Sequence, residues 1–170
     1  MHHQPDGAAF DIVLLLHVAS VVVGIVTTAT AAATARRLRR QAGSAAGSAA
    51  PLSEALRRYY RPGVNWAGRS VYGIPVFGFA LLAMSQGAYA LGDGWVLIGL
   101  ALFVLLAVVA EVVMWPAERR LQHTVTAVGP GLDRAQGAVP LQADAATLER
   151  SATIVLLLLV AGIIVMIAQP

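Results

Sequence analysis

Four apolar runs, each about as long as a bilayer is thick and almost free of charge, constrain this chain more than any other feature. Ile12 to Ala35 and Ser70 to Gly92 contain no acidic residue and no arginine, Gly94 to Ala117 contains only Glu111, and Ser151 to Pro170 contains none. A helix rises about 1.5 Å per residue, so about 20 apolar residues cross a hydrocarbon layer about 30 Å thick. Only 12% of the residues are charged and 58% are apolar. A soluble domain carries about twice that charge, which excludes a water-facing globular fold. The expected fold is all-α: one integral membrane domain over residues 1–170, a bundle of four transmembrane helices at about 10–36, 69–92, 94–117 and 147–168.

Arginine placement orients the spans. All 12 basic residues are arginine; eight, from Arg36 to Arg69, fall between the first and second spans, and four, from Arg119 to Arg150, between the third and fourth. The N-terminal segment and the turn between the second and third spans hold only Asp6, Asp11 and Asp93. The positive-inside rule then puts both long loops in the cytoplasm and both termini outside, in the cytoplasmic (inner) membrane. Aromatic residues agree, with Phe10, Tyr89 and Trp95 at the outer boundary and Tyr59, Tyr60, Trp66, Tyr72 and Trp115 near the inner one. This asymmetry accounts for the basic balance, so no nucleic-acid partner is implied. The first span ends in a small-residue stretch, ATAAATA, like a signal-peptidase site. A signal peptide carries its positive charge before the apolar region, whereas here Asp6 and Asp11 precede it and four arginines follow. The segment is expected to remain as a span.

On the arginine side, Gln41 to Ala50 is a Gly/Ser/Ala tract expected to be a flexible linker. After Pro51, Leu52, Leu56, Tyr59 and Tyr60 recur at helical spacing, while Arg57, Arg58 and Arg61 take other faces. This short cytoplasmic amphipathic segment either lies on an anionic leaflet with its apolar face down or packs on the bundle. With Arg36, Arg37, Arg39 and Arg40, the residues Arg57 and Arg58 form a basic set at the membrane surface. Asp144 is expected to cap the fourth helix, and His123 to be a surface histidine.

Ionisable groups in hydrocarbon are expensive, so each is a functional candidate. His17 lies seven residues past Phe10, about 10 Å below the outer boundary. Helical steps from it reach Ser20, Gly24, Thr27 or Thr28, and Ala31, a small-residue stripe that lets helices approach and points the imidazole inward. Seven residues in from Leu91 sits Met84, on a stripe with Gly73, Phe77, Ala80 and Gly87. A His and a Met at one depth suit haem iron or copper; the alternative is that both are ordinary core. Glu111 lies one turn before Trp115, about 6 Å from the inner boundary and about 14 Å in depth from His17, and is expected to form an inner-leaflet ion pair or to snorkel. Gln86, on another face from Met84, needs a partner. His3, third from the N-terminus, offers a weak copper(II) or nickel(II) geometry. Cysteine and lysine are absent, which removes disulfides, thiolate chemistry and Schiff-base lysines.

With His17 in LLLHVAS, a Gly-rich second helix, a WPAERRL exit from the third and a VMIAQP ending, the chain resembles a bacterial family of predicted integral membrane proteins that carry a domain of unknown function. That family is similar to the copper-resistance D proteins and to the HemJ-type protoporphyrinogen oxidases. The resemblance covers about Phe10 to Pro170. It implies a four-helix membrane bundle in which the first-helix histidine, His17 here, binds haem b or a metal such as copper. Three functions stand open: a haem- or metal-binding protein with a redox role using His17 and Met84; a non-catalytic accessory subunit without a cofactor; and copper or proton-coupled transport. Lipid is the expected surrounding, and the small-residue faces leave room for a homodimer or a membrane-protein partner.

Overall fold

The structure, a computed structural model, describes residues 7–44, 52–85, 87–127 and 134–168. It is all-α, with no strand among the described residues. Helix α1 is Ala8–Ser44, followed by α2 (Glu54–Tyr59) and α3 (Trp66–Arg69). A 3-10 turn, Ser70–Tyr72, leads into α4 (Gly73–Met84). Helix α5 (Gly94–Val109) passes through a π-helical segment, Ala110–Met114, into α6 (Trp115–Ala127), and α7 is Arg134–Ile167. Four stretches are long and apolar enough to cross a membrane: Ala8–Ala42, Trp66–Met84, Gly94–Ala127 and Pro140–Ile167. Large apolar side chains along them, such as Leu15, Val26, Val104 and Leu157, point outward. Exposed apolar surface of this kind marks a membrane or protein contact, and with four stretches long enough to span, the chain reads as a multi-pass membrane protein.

Several boundaries differ from expectation, each for a local reason. Helix α1 continues through Arg36 to Arg40 to Ser44, because arginine and alanine are strong helix formers. The first four residues of the expected linker are therefore helical, and residues 45–50 lie outside the described set. The second span ends at Met84, not near Gly92. Ser85 donates its hydroxyl to the Leu82 carbonyl (2.7 Å) and accepts the Tyr89 N–H (3.4 Å), and Gly87 has φ of 86°, a conformation that favours glycine. Asp93 then accepts the Ala90 N–H at 2.8 Å before α5 begins. The third span runs past residue 117 to Ala127, and α7 starts at Arg134. Asp144 consequently lies inside α7 and is not an N-cap. Its carboxylate meets Arg120 at 2.8 Å.

Prolines mark the irregular turns. Pro75 lacks the N–H that would reach the Val71 carbonyl, and the tighter 3-10 turn Ser70–Tyr72 lies where that bond is missing. Pro116 likewise removes the donor for the Val112 carbonyl, and the wider Ala110–Met114 segment immediately precedes it.

The chain divides into two compact units, residues 1–27, 65–106 and 156–170, and residues 28–64 and 107–155. In the first, helices meet through small residues. A Cβ on Gly24 would stand 2.9 Å from a Val71 methyl, and one on Gly73 would collide with the Ser20 side chain. In the second, α1 buries Ala31, Ala35 and Leu38, α6 buries Ala117, Leu121 and Val125, and α7 buries Leu141, Ala145, Leu148 and Ala152. These steps of three and four are the period of helices packed along a seam. The amphipathic α2 turns Leu56 (3% exposed) into this core, followed by Tyr60 (0%). Of the two expected placements of that segment, the structure has the packed one.

Gly73→Val should lower the thermal midpoint in detergent, with overpacking worth about 1–3 kcal/mol. Gly99→Ala, where an added Cβ meets nothing within 4 Å, should leave it unchanged or slightly higher. Equal midpoints for the two variants would remove the close approach of Gly73 and Ser20 from the packing.

Candidate functional site

His17 sits in the first unit, 5% exposed. Its polar neighbour on α4 is the backbone of Ile74, and a Cβ on Gly78 would lie 3.4 Å from its Cε1 and 3.6 Å from its Nδ1. The ring is therefore seated in the notch that Gly78 leaves on α4. Its Nδ1 is buried and completes no well-aligned hydrogen bond, although the Ile74 backbone lies within reach of the ring. Nearby hydroxyls do not serve it, because they bond to their own helix: Ser20 donates to the Leu16 carbonyl (2.8 Å) and Thr27 to that of Val23 (2.8 Å). Such back-bonding satisfies a short hydroxyl within apolar surroundings. Nδ1 is left as a buried polar atom that calls for an explanation, an unseen ligand among them.

Met84 is the last residue of α4 and half-buried. It lies six positions, about 9 Å of rise, beyond Gly78, where the imidazole meets that helix. Gln86 falls outside the described residues, as do His2 and His3. Glu111 is exposed on the π-helical segment of the second unit, and His123 is exposed on α6. Among the described residues no group of three or more His, Asp or Glu side chains could hold a metal ion. A bare metal ion would need more donors than His17 supplies. Haem brings four nitrogens of its own and asks the protein only for axial ligands, so a lone buried imidazole with an unpartnered nitrogen fits haem better than it fits an ion.

On the arginine side, charge is paired. Glu149 of α7, 9% exposed, takes the Arg36 Nε at 2.8 Å on Oε1. Arg39 approaches Oε2 at 3.2 Å without the alignment of a hydrogen bond. Two members of the sequence-predicted basic set thus hold α1 to α7. Arg58 stands 4.0 Å from Glu54, both exposed, whereas Arg37 and Arg40 are exposed and Arg57 half-buried.

The same unit also holds a buried polar cluster that no local sequence pattern marks. Tyr59 and Tyr60 stack edge-on, with ring centroids 5.0 Å apart. Their hydroxyls approach Thr34 of α1 without completing a hydrogen bond, near the carboxylate of Glu118, which is 7% exposed. Burial first, and then the Glu118 charge, pushes the Tyr59 phenol up to about 12. Burial raises the Tyr60 phenol as well.

Compared with family models, with curated proteins and with solved structures, the chain matches none.

Three outcomes are expected. Unfolded tyrosine loses its proton near pH 10 while Tyr59 holds its own to about 12. The folded state therefore binds the extra proton in between, and stability should be full below pH 10 and fall as pH rises toward 12. Removing an unsatisfied hydroxyl by Tyr60→Phe should leave stability at pH 8 unchanged or raise it by up to about 1 kcal/mol; a large loss would show that the hydroxyl is bonded. Separately, Glu149→Gln should destabilise more than Arg36→Gln or Arg39→Gln alone, since either arginine can keep the carboxylate company. Thermal unfolding of the three variants checks that order.

Proposed function

We propose that this chain is a haem b-binding protein of the inner membrane with a redox role, that His17 is an axial ligand, and that the termini face outward with both arginine-bearing loops in the cytoplasm. The observation that carries the reading is the buried Nδ1 of His17, which completes no hydrogen bond on a stretch of α1 where Ser20 and Thr27 bond to their own helix. Leaving such an atom unmade costs about 1–3 kcal/mol, a penalty that ligation removes. The lack of any multi-carboxylate or multi-histidine cluster among the described residues favours a group with its own equatorial donors over copper. Bound haem b would supply one-electron chemistry. The chain's own contribution is positional: Gly78 admits the ring beside α4, the Ile74 backbone orients it, and the surrounding apolar side chains exclude water. The orientation follows from the arginines, every one of which lies between spans one and two or three and four.

A second reading is favoured by one contact. The imidazole already meets the Gly78 notch at van der Waals distance, so it can serve purely as a packing element in a non-catalytic accessory subunit.

Absorption spectra of detergent-purified protein, oxidised and reduced, separate the two. The haem reading expects a Soret band and a sharp reduced α-band that His17→Ala abolishes while the protein stays folded. Met84→Leu should keep the bands, because Met84 lies beyond the level of the imidazole. A colourless protein that still shows no band after haem is added would sink the haem reading and leave the accessory one.

A further inference from the structure

Three helices bring arginines to one end of the second unit. Tyr59 and Tyr60 lie beside Thr34, one turn before Arg37 on α1. The Gln122 amide of α6 donates to the Gly63 carbonyl at 3.3 Å, which sets the Arg61-Pro62-Gly63 stretch beside α6, one turn from Arg119. Arg37, Arg58, Arg61 and Arg119 are all exposed. The carboxylates that could neutralise them are largely occupied: Glu118 and Glu149 are buried and Asp144 holds Arg120. Outside the apolar runs, Glu54 is the exposed acid among the described residues of this unit, and it meets Arg58 only at 4.0 Å in solvent, a weak pair.

We infer that this arginine surface, Arg37, Arg58, Arg61 and Arg119, binds the phosphodiester headgroups of anionic phospholipids. Charge complementarity selects that occupant, and the chain places it within reach. Arg61 precedes Trp66, where the second spanning stretch begins, by five residues, at most about 18 Å of extended chain. The exposed Val64 lies between them. The mode of binding also follows from the packing. Because Leu56 and Tyr60 are buried in the protein, α2 has no apolar face left to insert, so the attraction is electrostatic and screened by salt.

The test uses the full-length protein equilibrated with mixed phosphatidylcholine and phosphatidylglycerol micelles, with retained lipid counted by mass spectrometry. Phosphatidylglycerol should be enriched at low salt and lose its advantage at high salt. A basic residue near an anionic surface is worth about 1 kcal/mol, about fivefold, so Arg37→Gln, Arg61→Gln and Arg119→Gln should each lower the enrichment by up to that factor and the triple variant by more. Arg61→Lys should keep it, and Glu54→Gln should raise it. The single variants carry the measurement if the triple one does not fold. Equal retention of the two lipids, or enrichment indifferent to all these substitutions, overturns the inference. So does displacement of the lipid by an equal concentration of inorganic phosphate, which would make the site one for free anions. Capture of an acidic protein without any lipid preference would do the same, by making the surface a protein contact.

Discussion

Inside hydrocarbon there is no water to take up a stray hydrogen bond, and each backbone group must find its partner within its own helix. The rest of this structure is arranged around that condition. Several hydroxyls in the spans turn back on carbonyls three or four residues earlier, as Thr27 does to Val23 and Thr153 to Glu149, whereas the buried Ser70 hydroxyl completes no bond. The backbone departs from α-helical spacing near Pro75 and Pro116, where the missing N–H leaves a carbonyl to be accommodated. A tightened turn answers the first and a widened one the second. The widened turn immediately precedes the helix that carries the buried Glu118.

Against this background His17 stands apart. A serine or threonine is short enough to reach its own helix, but an imidazole is too long and must look to a neighbour. What it finds is the Ile74 backbone and the Gly78 notch, which leave one nitrogen unmatched. The arginine side follows the opposite rule. There, long charged side chains reach across helices, and Glu149 and Asp144 each hold arginines of another helix. Charged side chains of the second unit are therefore shared between helices, whereas hydroxyls such as Ser20, Thr27 and Thr153 bond within their own.

The spans and their order were legible because hydrophobic transfer is nearly additive along a run of residues. Their ends were less so. Helices α1 and α6 continue into polar sequence, which hydropathy cannot see but helix propensity allows. The early end of α4 had a larger effect. Counting depth from Leu91 sets Met84 level with His17, but the helix stops at Met84 and a turn occupies the following residues. The level of the imidazole therefore falls at Gly78. The choice of His17 itself was legible, since an intramembrane ionisable residue is costly whatever surrounds it. The Tyr59, Tyr60, Thr34 and Glu118 cluster was not, because its members come from three helices whose register no local pattern records.

The sequence by itself determined the number of crossings, the segregation of arginine to one set of loops, and the small-residue stripe along α1. Each of these depends on residue type summed along the chain or on the fixed pitch of a helix. Tertiary structure alone decided which backbone faces His17, which carboxylate holds which arginine, and that α2 buries its apolar face in protein. Those outcomes depend on the axial register between helices. Small residues permit many registers, and only the packed side chains select one.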